Sequence, residues 1–235
     1  MAGLSLRAIP KVYKIIVVGE KGVGKTTIID QFILNTFIQD HDALIWTDYR
    51  KQIVLDDRVA FLDVSDTITP TDGEMEHYLR AGWDHQIRHA DAAILVYSIT
   101  ITSRESFLRV TALRDEMLGV PTAVGEDWGG DAGVGGARAR PIQIGLVRNK
   151  SDLNSDREVT AKEGAELAES LGCGFVETSG KEGYNIDKAI HDLVRAIDKG
   201  QENEEQCKDQ GSAAAVGGFR GRLSRLSRSL LLKKN

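Results

Sequence analysis

The chain has 235 residues, 41% of them hydrophobic and 28% charged, a balance that suits one globular domain with extensions. A formal net charge of −5 gives no global attraction for nucleic acid, and two cysteines, Cys173 and Cys207, make no disulfide framework and fit a reducing cytoplasm. No run is long enough to span a bilayer, the N-terminus lacks a signal peptide's apolar core, and Ala2 stands where N-myristoylation needs glycine, so a cytoplasmic location is expected.

Residues 1–10 read as a flexible lead-in. A strand pattern over Lys14–Val18 runs into Gly19-Glu20-Lys21-Gly22-Val23-Gly24-Lys25-Thr26, and a helical pattern follows through Ile28, Ile29 and Phe32. Strand, GxxxxGK[ST], helix is the context of a phosphate-cradling P-loop. Glycines let the backbone wrap closely around a polyphosphate, and the loop N–H groups and helix N-terminus point positive partial charge at it. Lys25 then reaches the β- and γ-phosphates, and the Thr26 hydroxyl ligates Mg²⁺. A chance match of the four fixed positions occurs in roughly one per cent of chains this long. The flanking strand and helix lower that further, so a plain glycine-rich turn is the weaker reading.

Apolar-rich runs over Tyr49–Leu55 and Val59–Val64, separated by Asp56-Asp57-Arg58, predict an antiparallel hairpin. A continuous apolar run over Ala92–Tyr97 and a largely apolar one over Ile142–Val147 predict strands buried on both faces, with a shorter strand at Phe175–Thr178. Helical patterns lie near 76–89, 103–118, 160–171 and 184–199. In the last, Ile186, Ala189, Ile190, Leu193, Val194 and Ile197 mark one buried face. Six strands and five helices in this order predict an α/β fold, a doubly wound six-stranded mixed sheet with helices on both faces. The domain spans 11–199. Within it the Gly/Ala-rich stretch 121–140 reads as a flexible surface insertion, and 200–218 reads as a linker to the C-terminal tail.

Asn149-Lys150-Ser151-Asp152 follows the buried run that ends at Val147, at the carboxyl end of a strand, where open α/β sheets bind ligands. A carboxylate such as Asp152 accepts from the two adjacent N–H donors that guanine carries and adenine lacks. The Lys150 stem lies along the ring, and the Asn149 amide pins the loop or the base edge. Alone, NKxD is a weak match and reads as a polar turn; after a P-loop it becomes specific. Thr178-Ser179-Gly180-Lys181 offers backbone N–H groups for the guanine oxygen.

On these residues the chain resembles the Ras family of small GTPases from about Val12 to Ile197, interrupted at 121–140. The resemblance implies a G domain that binds GTP or GDP with Mg²⁺. It assigns the nucleotide to Gly19, Gly22, Val23, Gly24, Lys25, Thr26 and Thr27, with Phe37 covering the base. Asn149, Lys150 and Asp152 match the base motif, and Ser179, Gly180 and Lys181 match its partner loop. Mg²⁺ falls to Thr26, and to Asp66 through water. Exchange factors and effectors are expected through 38–50 and 66–85, on a monomer.

Departures fall on the hydrolytic machinery. Leu44 stands where the family has the switch I Thr, and it offers no oxygen. Asp66-Thr67-Ile68-Thr69-Pro70 replaces DxxG and the water-orienting Gln; a shifted alignment puts Gly73-Glu74 there, and a carboxylate replaces that amide poorly. Lys21 occupies a Gly position of Ras. It is either a built-in positive finger on the γ-phosphate or, more simply, a solvent-facing lysine. Lys25, Lys21 and Glu74 are therefore the catalytic candidates. The five histidines show no metal-ligand pattern, and His85 and His89 fit a solvated helix face.

The tail from Phe219 to Asn235 carries six basic residues and no acid, with Phe219, Leu223, Leu226 and Leu230 on one helical stripe. Such a segment suits an anionic membrane surface at the inner face of the plasma membrane; a partner groove or a disordered tail are the other readings. The chain ends without a CaaX box, so no prenylation is expected. Three functions are open: a Ras-like switch with slow or partner-dependent hydrolysis, a non-hydrolysing pseudo-GTPase serving as a binding module, and a P-loop kinase or ATPase. The guanine motif disfavours the third.

Overall fold

The structure, a computed structural model, describes residues 10–39, 48–68, 76–100, 104–119, 142–153, 155 and 157–203. Along them run β1 (Lys11–Val18), α1 (Lys25–Leu34), β2 (Asp48–Leu55), β3 (Arg58–Asp66), α2 (Glu76–His89) and β4 (Ala92–Ser98). Then come α3 (Arg104–Gly119), β5 (Gln143–Asn149), α4 (Ala161–Leu171), β6 (Gly174–Glu177) and α5 (186–203). The strands form one sheet in the order β2-β3-β1-β4-β5-β6. Only β2 and β3 pair antiparallel; the other four pairings are parallel. This is the expected mixed α/β sheet with one hairpin.

Local chemistry explains several boundaries. Asp56 and Asp57 both take positive φ, 50° and 61°, which suits a two-residue turn matched to strand twist. At α4, Thr160 and Glu163 form a reciprocal capping box and Gly172 closes the helix in the left-handed conformation. All seven residues of β4 are buried, as a strand covered on both faces must be. Around it pack Ile16, Val18, Trp83, Val110, Leu113 and Leu146.

The chain divides into two units, 1–194 and 195–235. The first holds the sheet. In the second, the described residues 195–203 are helical, so helix continues into the start of the segment expected to be linker. Gln201 and Glu202 are good helix formers, and polarity alone does not end a helix. The lead-in, the 121–140 insertion and the 219–235 tail lie outside the described residues.

Candidate functional site

The candidate residues gather at the carboxyl ends of β1, β3, β5 and β6. The phosphate loop leaves β1 after Val18 and enters α1 at Lys25. Gly24 has φ 95°, and a Cβ there would come within 2.4 Å of Asn149 Nδ2, so both backbone shape and space require glycine. No side chain caps the N-terminus of α1, which leaves its first N–H groups facing the loop. Lys25 Nζ donates to the carbonyls of Gly19 at 2.8 Å and Glu20 at 3.1 Å. Burial holds the Lys25 ammonium below its usual pKa, against the raising influence of the Asp66 and Glu20 carboxylates.

Asp66 is the last residue of β3 and the register partner of Val17. Next to it, Thr67 Oγ1 donates to the Val17 carbonyl at 2.7 Å, which fixes the end of β3 beside β1. Thr26 Oγ1 donates to Asp66 Oδ2 at 2.5 Å. A hydroxyl and a carboxylate are hard oxygen donors of the kind Mg²⁺ takes, with water and phosphate oxygens completing its shell. The donor set therefore fits that ion. Among the described residues no group of three or more His, Cys, Asp or Glu could hold a metal.

Asn149, at the end of β5, ties three segments together. Its Nδ2 donates to the Val23 carbonyl at 3.0 Å, while its Oδ1 accepts from Gly180 N–H at 3.0 Å and Thr178 Oγ1 at 3.2 Å. Asp152 Oδ1 accepts from Ser179 Oγ at 2.6 Å. Gly180 lies close against α1, where a Cβ would come within 2.9 Å of Thr27 Cγ2, so glycine's missing side chain permits the approach. Three N–H groups of the Thr178–Lys181 loop are already used within the protein, since Thr178 N–H donates to the Arg148 carbonyl and Ser179 N–H to the Tyr184 carbonyl, beside Gly180 N–H on Asn149. Lys150 takes φ 65°, and burial lowers its pKa with Asp152 pulling the other way.

Gly19, Gly22, Val23, Gly24, Lys25, Thr26, Thr27, Asn149, Lys150, Asp152, Ser179, Gly180 and Lys181 thus lie in the P-loop, the first turn of α1, the last position of β5 and the two loops after β5 and β6. Phe37, beyond the end of α1, is exposed. Lys21 is exposed too. Leu44, Thr69, Pro70, Gly73 and Glu74 lie outside the described residues. His85 and His89 stand on one face of α2 with ring centroids 4.3 Å apart.

Two pairings were missed in the sequence. Glu20, within the P-loop, accepts from Arg109 Nε of α3 at 3.1 Å. Arg148, just before Asn149, is fully buried and pairs with Glu177. Neither has a local signature, because each joins segments far apart in the chain.

Strand topology and the phosphate loop place the chain in the doubly wound P-loop class. The Ras family model matches residues 14–199. The chain is 37% identical over 201 residues to "Ras-like protein B" of Aspergillus fumigatus, covering 82% of this chain and 80% of that one. It is 35% identical over 215 residues to "Ras-like protein 1" of Pyricularia oryzae (90% and 86%), and 38% over 191 residues to "Protein ras-2" of Neurospora crassa (80% and 80%). The chain belongs to the Ras family, whose members are GTP-binding signalling switches.

Proposed function

We propose that this chain is a guanine-nucleotide-dependent switch whose GTP hydrolysis is slow or depends on a partner. Asn149 carries the guanine reading: its amide joins the phosphate loop to the Thr178–Gly180 loop, holding polyphosphate and base recognition in one unit. Asp152, steadied by Ser179, then accepts from the guanine N–H donors, and the Lys150 stem lies along the ring. Lys25 meets the β- and γ-phosphates, while Thr26 and Asp66 hold Mg²⁺, which neutralises phosphate charge. Phe37 is free to cover the base. Regulators and effectors engage 38–50 and 66–85 of a monomer.

Slow hydrolysis follows from Leu44 and Pro70, which supply neither the γ-phosphate-sensing hydroxyl nor the water-orienting amide. The same two residues favour the second reading, a pseudo-GTPase that keeps nucleotide as a structural ligand. The basic tail holds the protein at the inner face of the plasma membrane. No helix among the described residues is long and apolar enough to cross a membrane. Single-turnover hydrolysis of radiolabelled GTP, beside GTP and GDP affinities, separates the readings. Tight binding with slow, partner-stimulated turnover supports the switch; tight binding with no turnover under any partner supports the pseudo-GTPase; equal ATP affinity overturns both.

A further inference from the structure

Arg148 is an unusual occupant of its position. It lies in β5 directly before Asn149, in the middle of a sheet, and none of its surface reaches solvent. An arginine buried there loses hydration that only good partners can replace, whereas an apolar side chain would fill the space without that loss. Packing alone therefore does not account for it.

Its partners all lead to the base-side loops. The guanidinium forms an ion pair with Glu177, its register neighbour on β6 and the residue just before Thr178-Ser179-Gly180-Lys181. Nη1 donates to the carbonyl of Val159 at 3.3 Å, at the far end of the segment that opens with Lys150-Ser151-Asp152. The Arg148 carbonyl accepts from Thr178 N–H at 2.8 Å. Arg157 Nη1 approaches the Glu177 carboxylate at 4.0 Å from that same segment. One buried side chain thus braces both loops against the strand that presents Asn149.

We infer that Arg148, acting through Glu177 and Val159, is a positioning residue that sets the relative placement of the two base-side loops and thereby the selectivity for guanine. Arg148 does not touch the nucleotide. Its effect runs through alignment: hydrogen bonds weaken steeply when distance or angle drifts, so a small displacement of Asp152 against the Ser179–Lys181 loop loosens its grip on the base. This inference rests on Asn149–Asp152 being the base-recognition segment. It adds a determinant of selectivity inside the sheet.

The test uses the full chain and a fluorescent GDP analogue displaced by GDP, IDP or ADP. IDP lacks the exocyclic amine that Asp152 reads, so the GDP-to-IDP affinity ratio reports that contact. Two variants are compared with wild type, Arg148→Lys and the double variant Arg148→Met/Glu177→Met, which removes both charges and avoids stranding one of them. The double variant is expected to fold, to release GDP roughly tenfold faster and to compress the GDP-to-IDP ratio by a similar factor. Arg148→Lys, which cannot serve Glu177 and Val159 with one planar fork, is expected to fall between.

A merely structural role would weaken GDP and IDP alike. An unchanged ratio in the folded double variant therefore overturns the inference, and if that variant does not fold, an unchanged ratio in Arg148→Lys does so. A wild-type protein with no preference for GDP over IDP and ADP would instead refute the base-recognition reading itself.

Discussion

Thr26 Oγ1 donates to Asp66 Oδ2 at 2.5 Å, joining the first turn of α1 to the end of β3 at the mouth of the phosphate loop. The two residues lie 40 positions apart in the sequence, and the sheet brings them together because β3 lies beside β1 in parallel register. Both side chains are therefore held at one spot, which would limit the ordering cost of binding a cation there.

Removing the hydroxyl should uncouple nucleotide retention from Mg²⁺. Thr26→Ala is expected to weaken Mg²⁺ binding in the nucleotide complex by about tenfold or more, since even indirect partners of a metal ligand are worth that much. GDP release measured across a Mg²⁺ titration gives the answer. A variant whose release slows at the same Mg²⁺ concentration as wild type would remove Thr26 from the cation site.

Base choice should reside in Asp152. Asp152→Ala leaves the guanine N–H donors unpaired in the site and frees the Ser179 hydroxyl that now meets the carboxylate at 2.6 Å. The preference for GTP over ATP should fall by roughly a hundredfold. Competition titrations of both nucleotides against a fluorescent GDP analogue measure it, and an undiminished preference would assign base recognition elsewhere.

Much of this arrangement was legible in the residues, for a physical reason. A strand covered on both faces must be apolar throughout, so Ala92–Tyr97 announced β4, and the phosphate and base motifs each followed such a run. Arg148 was not legible. The apolar run stops at Val147, and a charge after it reads as the strand's exposed end; the guanidinium is buried against Glu177 of β6 and the Val159 carbonyl, both remote in sequence. The Arg109–Glu20 contact spans 89 residues and is likewise invisible to spacing. The described helix α5 continues through residue 203, past the point where polar composition marks the start of linker.

Hydrolysis on the isolated chain should be slower than the low Ras-type rate of roughly 10⁻⁴ s⁻¹. Leu44 and Pro70 each lack a group that the reaction uses, and the conformational difference between GTP and GDP forms should shrink with the lost γ-phosphate contact. Leu44→Thr is expected to enlarge that difference, read as the change in tryptophan fluorescence between the two nucleotide forms. Single-turnover rates near those of a partner-stimulated GTPase would contradict the first half.

Acid should destabilise the α2 face. Burial, then the nearby charges of His89, Arg88 and Lys14, hold His85 below its ordinary 6.5, with Asp48 opposing. The unfolded chain then binds more protons than the folded one between the two pKa values, so stability rises with pH through that window. The contribution is complete above 6.5 and is lost as pH falls through the folded value. Urea unfolding of wild type and His85→Gln between neutral and acidic pH should show a steeper decline for wild type; parallel curves would exclude His85 as the source.

Attachment to anionic membranes should follow from the tail, whose six basic residues flank one apolar stripe. Each lysine or arginine near a charged leaflet contributes about 1 kcal/mol, enough together for reversible binding without a prenyl group. Salt should weaken the attachment, because screening shortens the reach of the charges, whereas an acyl anchor would respond less. Phosphorylation at Ser224, Ser227 or Ser229 should loosen it by cancelling part of the positive charge beside the lipid headgroups. Sedimentation with phosphatidylserine vesicles, comparing the full chain with one truncated after Gly218, measures the effect at two salt concentrations. Loss of sedimentation on truncation, and on raising salt for the full chain, is the expected pattern. Equal binding of the two proteins would place the membrane contact outside residues 219–235.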